Sequence, residues 1–338
     1  MALRLAEIGA EWDTRWDAFV GERFDSGFMQ FSDWSAFKRL EGYETTRLGL
    51  FEEDILQGGG TLYFYPAQSG MGYLVCPEGP LLNWEEPDKA REGARLIQNF
   101  AQGFAEEKGA LGLRIEPRLL TPKPSLLRNW SRAPVDLLPT QTLFLDTTLS
   151  EEAFLKQMLP KGRYNLRLAQ RHGVNVRFSN QMQDLKRFYD LFAETASRHQ
   201  FFAEPYGFFI NLGMTLFPQN RAGLFFAEWE GETLATILVL FFGRRATYLY
   251  GGSSDLKRHV MPNYLLHWEA LRMARERGCR EYDLYGYEPF GVKDHLYAGF
   301  SRFKKQFGGQ YVASIGAQDY IFYDRLADQL VAQFQHRS

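Results

Sequence analysis

The chain has 338 residues, 45% of them hydrophobic and 24% charged, with a formal net charge of −2 at neutral pH. This composition excludes a disordered protein, and at roughly 100–150 residues per domain the length predicts two domains. A near-neutral chain does not bind nucleic acid through its overall charge, so any phosphate or nucleic-acid site must be local. The 29 Phe and 17 Tyr predict aromatic sheet cores or a stacking surface. Cys76 and Cys279 stand far apart without a CxxC pattern, which predicts neither a disulfide framework nor a thiolate zinc site. The opening MALRLAEIGAEWDTRW carries acids and no uninterrupted apolar run, so no secretory leader is expected. The apolar run 236–242 is too short to span a bilayer. The expected setting is the cytoplasm.

In chain order, 45–51 and 61–65 read as strands, with Gly58, Gly59 and Gly60 as the hairpin turn between them. A third strand at 71–76 precedes a helix at about 87–108, whose Ala90, Ala94, Ile97, Ala101 and Phe104 share one face. Gly109 sits at its C-terminal cap, and a strand at 111–115 ends in Glu116-Pro117. The proline-rich stretch 117–139 reads as a connection, followed by a strand at 141–145. A helix near 181–198 then precedes strands at 222–229, 233–242 and 246–250. Pro262 starts another helix, Gly278 ends it, and a strand follows at 281–285. The order β-β-β-α-β thus occurs twice. It predicts an α/β (α+β) fold of two tandem GNAT-like units, with mixed, mostly antiparallel sheets flanked by helices. The expected units are 1–145 and 146–318, with a last helix in 319–338 folding back onto the first.

Several chemistries lack their sequence signatures. There is no GxxxxGK[ST] phosphate loop, no GxGxxG after a strand, no HExxH and no GxSxG elbow. No metal and no bound cofactor are expected. A coenzyme-A acyltransferase needs a glycine-rich run before its main helix, where backbone N–H groups hold the pyrophosphate. Here the approach to 262 reads SSDLKRHVMPNY, and the approach to 87 reads PLLNWEEPDK with acids that repel phosphate.

Five constellations remain. The densest is GYEPFGVKDHLYAGFSRFKKQFGG, 286–309, where aromatics alternate with Lys293, His295, Arg302, Lys304 and Lys305. Lys304, walled by Phe303 and Phe307, can meet an oxyanion or phosphate in a dry setting, or be a solvated helix lysine. In LPKGRYNLRLAQRHGVNVRF, 159–178, Arg163, Arg167 and Arg171 share one helix face, which suits phosphates or simply faces solvent. In MQFSDWSAFKRLEGYE, 29–44, Ser32 reads as a helix cap, and Lys38 as a ligand-binding charge or a snorkelling side chain. Tyr248 and Tyr250 in TYLYGGSS alternate on a strand and are expected on one face, orienting a polar substrate or filling a core. Glu116, at a strand end, can hold an amine or cap the next turn.

The order of MQFSDWSAFK, YLVCPEGP, LRIEP, KGRYNLRLAQRHGV, YLYGGSS, PNYLLHWEA, YDLYG and RFKKQFGG, from 29 to about 316, resembles the Fem family of non-ribosomal peptidyl (aminoacyl) transferases. The resemblance implies transfer of an amino acid of the Gly, Ala or Ser class from aminoacyl-tRNA to a stem-peptide amine of a lipid-linked or UDP-linked peptidoglycan precursor. It implies no integral membrane segment, membrane contact being peripheral if present. It matches Lys38 to the lysine that contacts the acceptor's nucleotide-sugar part, and Glu116 to an acidic strand-end position. It matches Phe303-Lys304 to the family's Phe-Lys pair, with Lys305 as the neighbouring alternative, and one of Tyr248 and Tyr250 to a substrate-contacting tyrosine. Arg163 and Arg167 join as candidate phosphate partners. Where members often carry an arginine and a tyrosine, this chain has Glu204 and Phe208, with Tyr206 as the nearby candidate. Gly316-Ala317 stands where many members have Gly-Glu. The alternatives are an acyl-CoA-dependent N-acyltransferase and a non-catalytic precursor-binding protein.

Overall fold

The computed structural model describes residues 2–66, 72–288 and 298–322. In chain order its elements begin with β1 (Arg4–Glu7), α1 (Asp13–Glu22), α2 (Ser32–Leu40), β2 (Glu44–Glu52), β3 (Ile55–Pro66), β4 (Gly72–Pro77), α3 (Pro87–Lys108), β5 (Ala110–Glu116) and β6 (Ser131–Arg132). Then come β7 (Gln141–Asp146), α4 (Glu151–Gln157), α5 (Pro160–Arg171), β8 (Asn175–Ser179), α6 (Leu185–His199) and α7 (Tyr206–Leu216). The last are β9 (Ala222–Trp229), β10 (Glu232–Phe242), β11 (Arg245–Ser253), α8 (Pro262–Glu276), β12 (Glu281–Asp283), α9 (Ala298–Lys304), β13 (Gln310–Ala313) and β14 (Gln318–Ile321). The chain divides into two compact units. The first runs to Leu138 and resumes at Ser314, and the second is Pro139–Ala313.

The first sheet has the order β1-β2-β3-β4-β5-β14-β6. Its strands pair antiparallel except β4 and β5, which run parallel because α3 carries the chain across between them. α3 starts with Pro87 in its first turn, where a missing N–H costs nothing, and ends at Gly109 in the left-handed region (φ 77°). It buries Ala90, Ala94, Ile97, Ala101 and Ala105 against Leu48, Leu62, Leu74 and Leu113.

The second sheet, β13-β7-β12-β11-β10-β9-β8, repeats the plan: β9, β10 and β11 are antiparallel, α8 crosses over, and β12 returns parallel to β11. α8 buries Leu266, Ala270 and Ala274 in one core with Phe225, Ile237 and Val239. α6 lies against β11, and Phe192 on α6 and Phe209 on α7 pack on Tyr250. The doubled β-β-β-α-β order and the mostly antiparallel sheets agree with the sequence expectation.

Four details differ from it. The strand at 141–146, expected in the first unit, pairs with β12 and β13 in the second, so the chain changes units near 138. Residues 319–321, expected to open the last helix, instead join Gln318 in an edge-filling strand between β5 and β6. The rest of that expected helix, 323–338, lies outside the described residues. Ser32 is not the cap of α2: it is the first helical residue, and the Asp17 carboxylate accepts both its N–H and its hydroxyl at 2.8 Å.

The fourth concerns the glycine triplet, which is inside β3 rather than at the turn. The turn falls at Glu53, in the left-handed region at φ 54°. Gly59 (φ 145°) pairs with Gly49 on β2 and also exchanges two backbone hydrogen bonds, 2.9 and 2.8 Å, with Leu81. A Cβ there would lie 2.0 Å from the Leu48 carbonyl oxygen. Only glycine lets three backbone segments meet so closely. Gly59→Ala is therefore expected to destabilise the protein by about 2–4 kcal/mol, combining backbone strain and overpacking. Gly103→Ala, in mid-helix with open space around it, is expected to raise stability by up to about 1 kcal/mol. Thermal or urea unfolding of the two variants checks both.

Candidate active site around Lys304

β12 pairs with β11 only as far as Thr247 and Asp283, so beyond that point the two parallel strands no longer hydrogen-bond. The chain turns there through Tyr285 (φ 49°) and Gly286 (φ 43°), both left-handed. Two carbonyls are thereby presented to one side chain: Lys304 Nζ donates to the carbonyl oxygens of Tyr285 and Gly286, the latter at 2.6 Å. The lysine is only 7% exposed, and its Nζ stands 5.6 Å from the Tyr248 ring centroid. The His267 ring meets Tyr248 edge-on at 4.6 Å, and its Nδ1 lies 3.0 Å from the Tyr282 hydroxyl. Asp283, fully buried, accepts the Thr142 hydroxyl proton and the Tyr285 N–H (2.8 Å).

Burial governs the protonation of this group. It pushes the Lys304 amine down to about 7, with the Asp283 charge acting in the opposite direction. It pushes His267 down to about 3, helped by the charge of Lys304, so that histidine is neutral at physiological pH. It raises the Tyr248 phenol to about 12. An ammonium has three N–H donors. Two go to carbonyls, which leaves a third to meet charge developing on a substrate oxygen.

The local sequence explains why Lys304 is held here. Phe303 packs on Tyr264 at 5.0 Å, Phe307 at 5.3 Å and His267 at 5.5 Å. Ser301 Oγ, buried, accepts the Glu288 N–H at 2.8 Å. The turn after α9 is pinned by α5: the Leu159 N–H reaches the Gln306 carbonyl at 3.0 Å. A Cβ on Gly162 would come within 2.3 Å of that same oxygen, so glycine is needed for the approach. Two motifs far apart in sequence are one structural unit. Lys305, the neighbouring candidate, is exposed. Lys293 and His295 lie outside the described residues.

Tyr248 and Tyr250 do not share a face. β11 has a bulge at Leu249, where Val239 pairs with Tyr248 and Leu238 with Tyr250. The extra residue breaks the alternation. Tyr248 joins Lys304 and His267 on the α8 side, whereas Tyr250 packs among Phe192, Phe208 and Phe209 on the other. Burial, with Glu204 nearby, raises the Tyr250 phenol. Tyr206 starts α7 and contacts Tyr189 at 5.0 Å, so it belongs with Tyr250 rather than with Lys304. The row of three arginines is also divided. Arg163 turns to the carbonyls of Leu155, Lys156 and Met158 at the end of α4, while Arg167 and Arg171 stay exposed.

In the first unit, the two oxygens of Glu116 accept the N–H groups of Leu137 and Leu138 at 2.8 and 2.9 Å. Glu116 is 4% exposed, and burial raises its carboxyl to about 7. Its first job is to anchor that turn, the capping alternative of the two open in the sequence. Lys38 Nζ sits 3.9 Å from the Tyr43 ring centroid, a cation–π contact, and Tyr43 leans on Tyr65 at 4.8 Å. Sequence reading did not single out His267, Tyr282, Asp283 or Thr142. The available signals were a histidine inside the apolar helix run YLLHW and a lone carboxylate inside the strand YDLY. Among the described residues no cluster of three or more His, Cys, Asp or Glu is placed to hold a metal, and no helix is long and apolar enough to cross a membrane.

The depressed lysine has a consequence for stability. Unfolded, it keeps its proton to about 10.5; folded, it releases it from about 7. Between these values the unfolded state binds more protons, so stability rises with pH across that window. Chemical denaturation from pH 6 to 10 is expected to show wild type gaining stability relative to Lys304→Met above about pH 7. A pH-independent gap would contradict the depressed amine.

Comparison with known proteins covers both units. Residues 160–305 match the family model described as an acetyltransferase (GNAT) domain, and 13–126 match the FemAB family. The Lipid II:glycine glycyltransferase of Staphylococcus saprophyticus is 23% identical, covering 91% of each chain. That of Staphylococcus haemolyticus is 23% identical over 95% of this chain and 94% of its own. The crystal structure of FemX superposes with a TM-score of 0.86 at 20% identity, over 96% of this chain and 99% of that one. A tandem GNAT protein from the clavulanic acid biosynthesis pathway gives 0.57 at 11% identity, over 94% and 98%. Residues 13–126 thus match a FemAB model and 160–305 a GNAT domain model, and over nearly its full length the chain has the fold of FemX, which is GNAT-like.

Proposed function

We propose that the protein is an aminoacyltransferase that moves an amino acid from aminoacyl-tRNA to an amine of a peptidoglycan precursor. The observation that carries this reading is the buried Lys304, held on two carbonyls beside Tyr248. It occurs in a chain whose relatives of matching length are named lipid II:glycine glycyltransferases. The amino acid belongs to the Gly, Ala or Ser class.

An aminoacyl ester is already activated. The acceptor amine attacks its carbonyl carbon, the oxyanion forms, and collapse expels the ribose hydroxyl as the amine loses its proton. Bringing the two substrates together supplies roughly 7–11 kcal/mol. One well-placed donor to the oxyanion adds about 3–4 kcal/mol, and the third N–H of Lys304 fills that role. Tyr248 and Phe303 shape the dry wall around it. In the first unit, Lys38 and Glu116 serve the acceptor, Lys38 through its charge and Glu116 by fixing the 137–138 turn.

An acyl-CoA reading finds less support. α8 starts at Met261-Pro262 and α3 at Pro87 with Asp88 in its first turn. Both starts lack an N–H donor, and that of α3 also carries a charge that repels a pyrophosphate.

The test is an assay with glycyl-, alanyl- and seryl-tRNA and lipid-linked or nucleotide-linked muropeptide. Wild type is expected to transfer one of these amino acids, and Lys304→Ala to lose about 10²–10³-fold in rate while keeping a cooperative melt. Near-normal turnover by Lys304→Ala removes the lysine from the role. Transfer from acetyl-CoA, with none from tRNA, overturns the reading.

A further inference from the structure

The small net charge of the chain hides a local imbalance. No acid occurs in the 31 residues 153–183, which hold Lys156, Lys161, Arg163, Arg167, Arg171 and Arg177. Three of these six cations have partners: Lys156 pairs with Glu152, Arg177 with Asp184, and Arg163 with the carbonyls at the end of α4. The other three, Lys161, Arg167 and Arg171, are exposed on α5 and make no ion pair among the described residues. The opposite side of α5 buries Gly162, Asn165, Leu166 and Ala169. The helix therefore has a packed side and a cationic side.

That outward side also carries a ring. Tyr164 is 58% exposed, with the Arg171 guanidinium carbon 5.7 Å from its centroid. An exposed aromatic ring among cations offers base stacking together with phosphate contacts, the two devices by which single-stranded nucleic acid is held. An acidic protein patch would use the cations and leave the ring idle. A membrane would need aliphatic side chains outward, and Leu166 and Ala169 point inward.

The position of this face ties it to the chemistry. The first turn of α5 is pinned to Gln306, two residues past Lys304, by the Leu159–Gln306 hydrogen bond and the close approach of Gly162. Exposed Lys305 stands at the same junction. A strand lying along α5 is thus led to the end of α9 that carries Lys304.

We propose that the outward face of α5, formed by Lys161, Tyr164, Arg167 and Arg171, is an RNA-docking surface that guides the donor strand toward Lys304. The proposal rests on the aminoacyl-tRNA reading for the identity of that RNA.

The experiment measures binding, without transfer, of an uncharged tRNA transcript by fluorescence anisotropy across a salt series. Wild type is compared with Arg167→Gln/Arg171→Gln and with Tyr164→Ala, each first shown to melt like wild type. The double variant is expected to bind at least about tenfold more weakly, and its log K against log salt slope to fall by about two. Tyr164→Ala is expected to weaken binding about five- to tenfold with the slope unchanged, because stacking releases no counterions. Unchanged affinity and slope in the double variant, absence of RNA binding by wild type, or binding to phosphatidylglycerol vesicles in place of RNA would each overturn the proposal. Its failure is separable from that of the proposed function. RNA binding through α5 without transfer contradicts only the aminoacyl transfer, and transfer with α5-independent binding contradicts only the docking surface.

Discussion

A lysine ammonium placed away from water must be compensated, and the second unit is arranged around that requirement. Burying the charge of Lys304 is unfavourable enough to bring its amine down to about 7. The compensation comes from the backbone carbonyls of Tyr285 and Gly286, turned to it by two consecutive left-handed residues. Asp283 supplies the opposing charge and is itself fixed by Thr142 and the Tyr285 N–H. These contacts occupy two of the three N–H donors of Lys304, and the proposed mechanism assigns the third to the reacting oxygen. A lysine saturated by a carboxylate would leave less.

The place where this happens follows from the sheet. β11 and β12 are the parallel pair created by the α8 crossover, and they stay paired for only three residues on each strand. Where pairing stops, the carbonyls of the departing strand are free to serve a side chain. The bulge in β11 then sorts its tyrosines, sending Tyr248 to the lysine and Tyr250 to the aromatic cluster of α6 and α7. The tandem repeat gives the first unit a matching β4–β5 pair ending at Pro77 and Glu116. There the strand-end carboxylate holds backbone N–H groups instead of facing a cation.

Much of the architecture was legible in the sequence because its signals are local. α3 runs over the expected 87–108 and ends at the expected Gly109, and α8 begins at the expected Pro262. The errors arose where distant segments decide. Nothing near Gly59 announces that Leu81 will cross β3, so the triplet reads as a turn. Strand 141–146 follows the first unit in sequence, but its partners are 281–283 and 310–313. A single extra residue in β11 reverses the face of Tyr250 without changing the strand's composition. At the site, Lys304 and Phe303 stood out by type and spacing. His267, Tyr282 and Asp283 did not, because a buried polar residue looks like any other until its partners are in place. The arginine row illustrates both sides: helix periodicity placed it on one face, and only the α4 carbonyls showed that Arg163 faces elsewhere.

The central claim is that Lys304 recognises the tetrahedral, negatively charged stage of aminoacyl transfer more strongly than the planar groups before and after it. The most direct measurement compares two ligands that join the terminal adenosine of the donor to the acceptor amine, one through a tetrahedral anionic phosphonate and one through a planar amide. Kd values for wild type and Lys304→Met are read by calorimetry. The account predicts that the substitution weakens phosphonate binding by about 10²-fold and leaves amide binding nearly unchanged. Equal losses for both ligands, or none for the phosphonate, would contradict it.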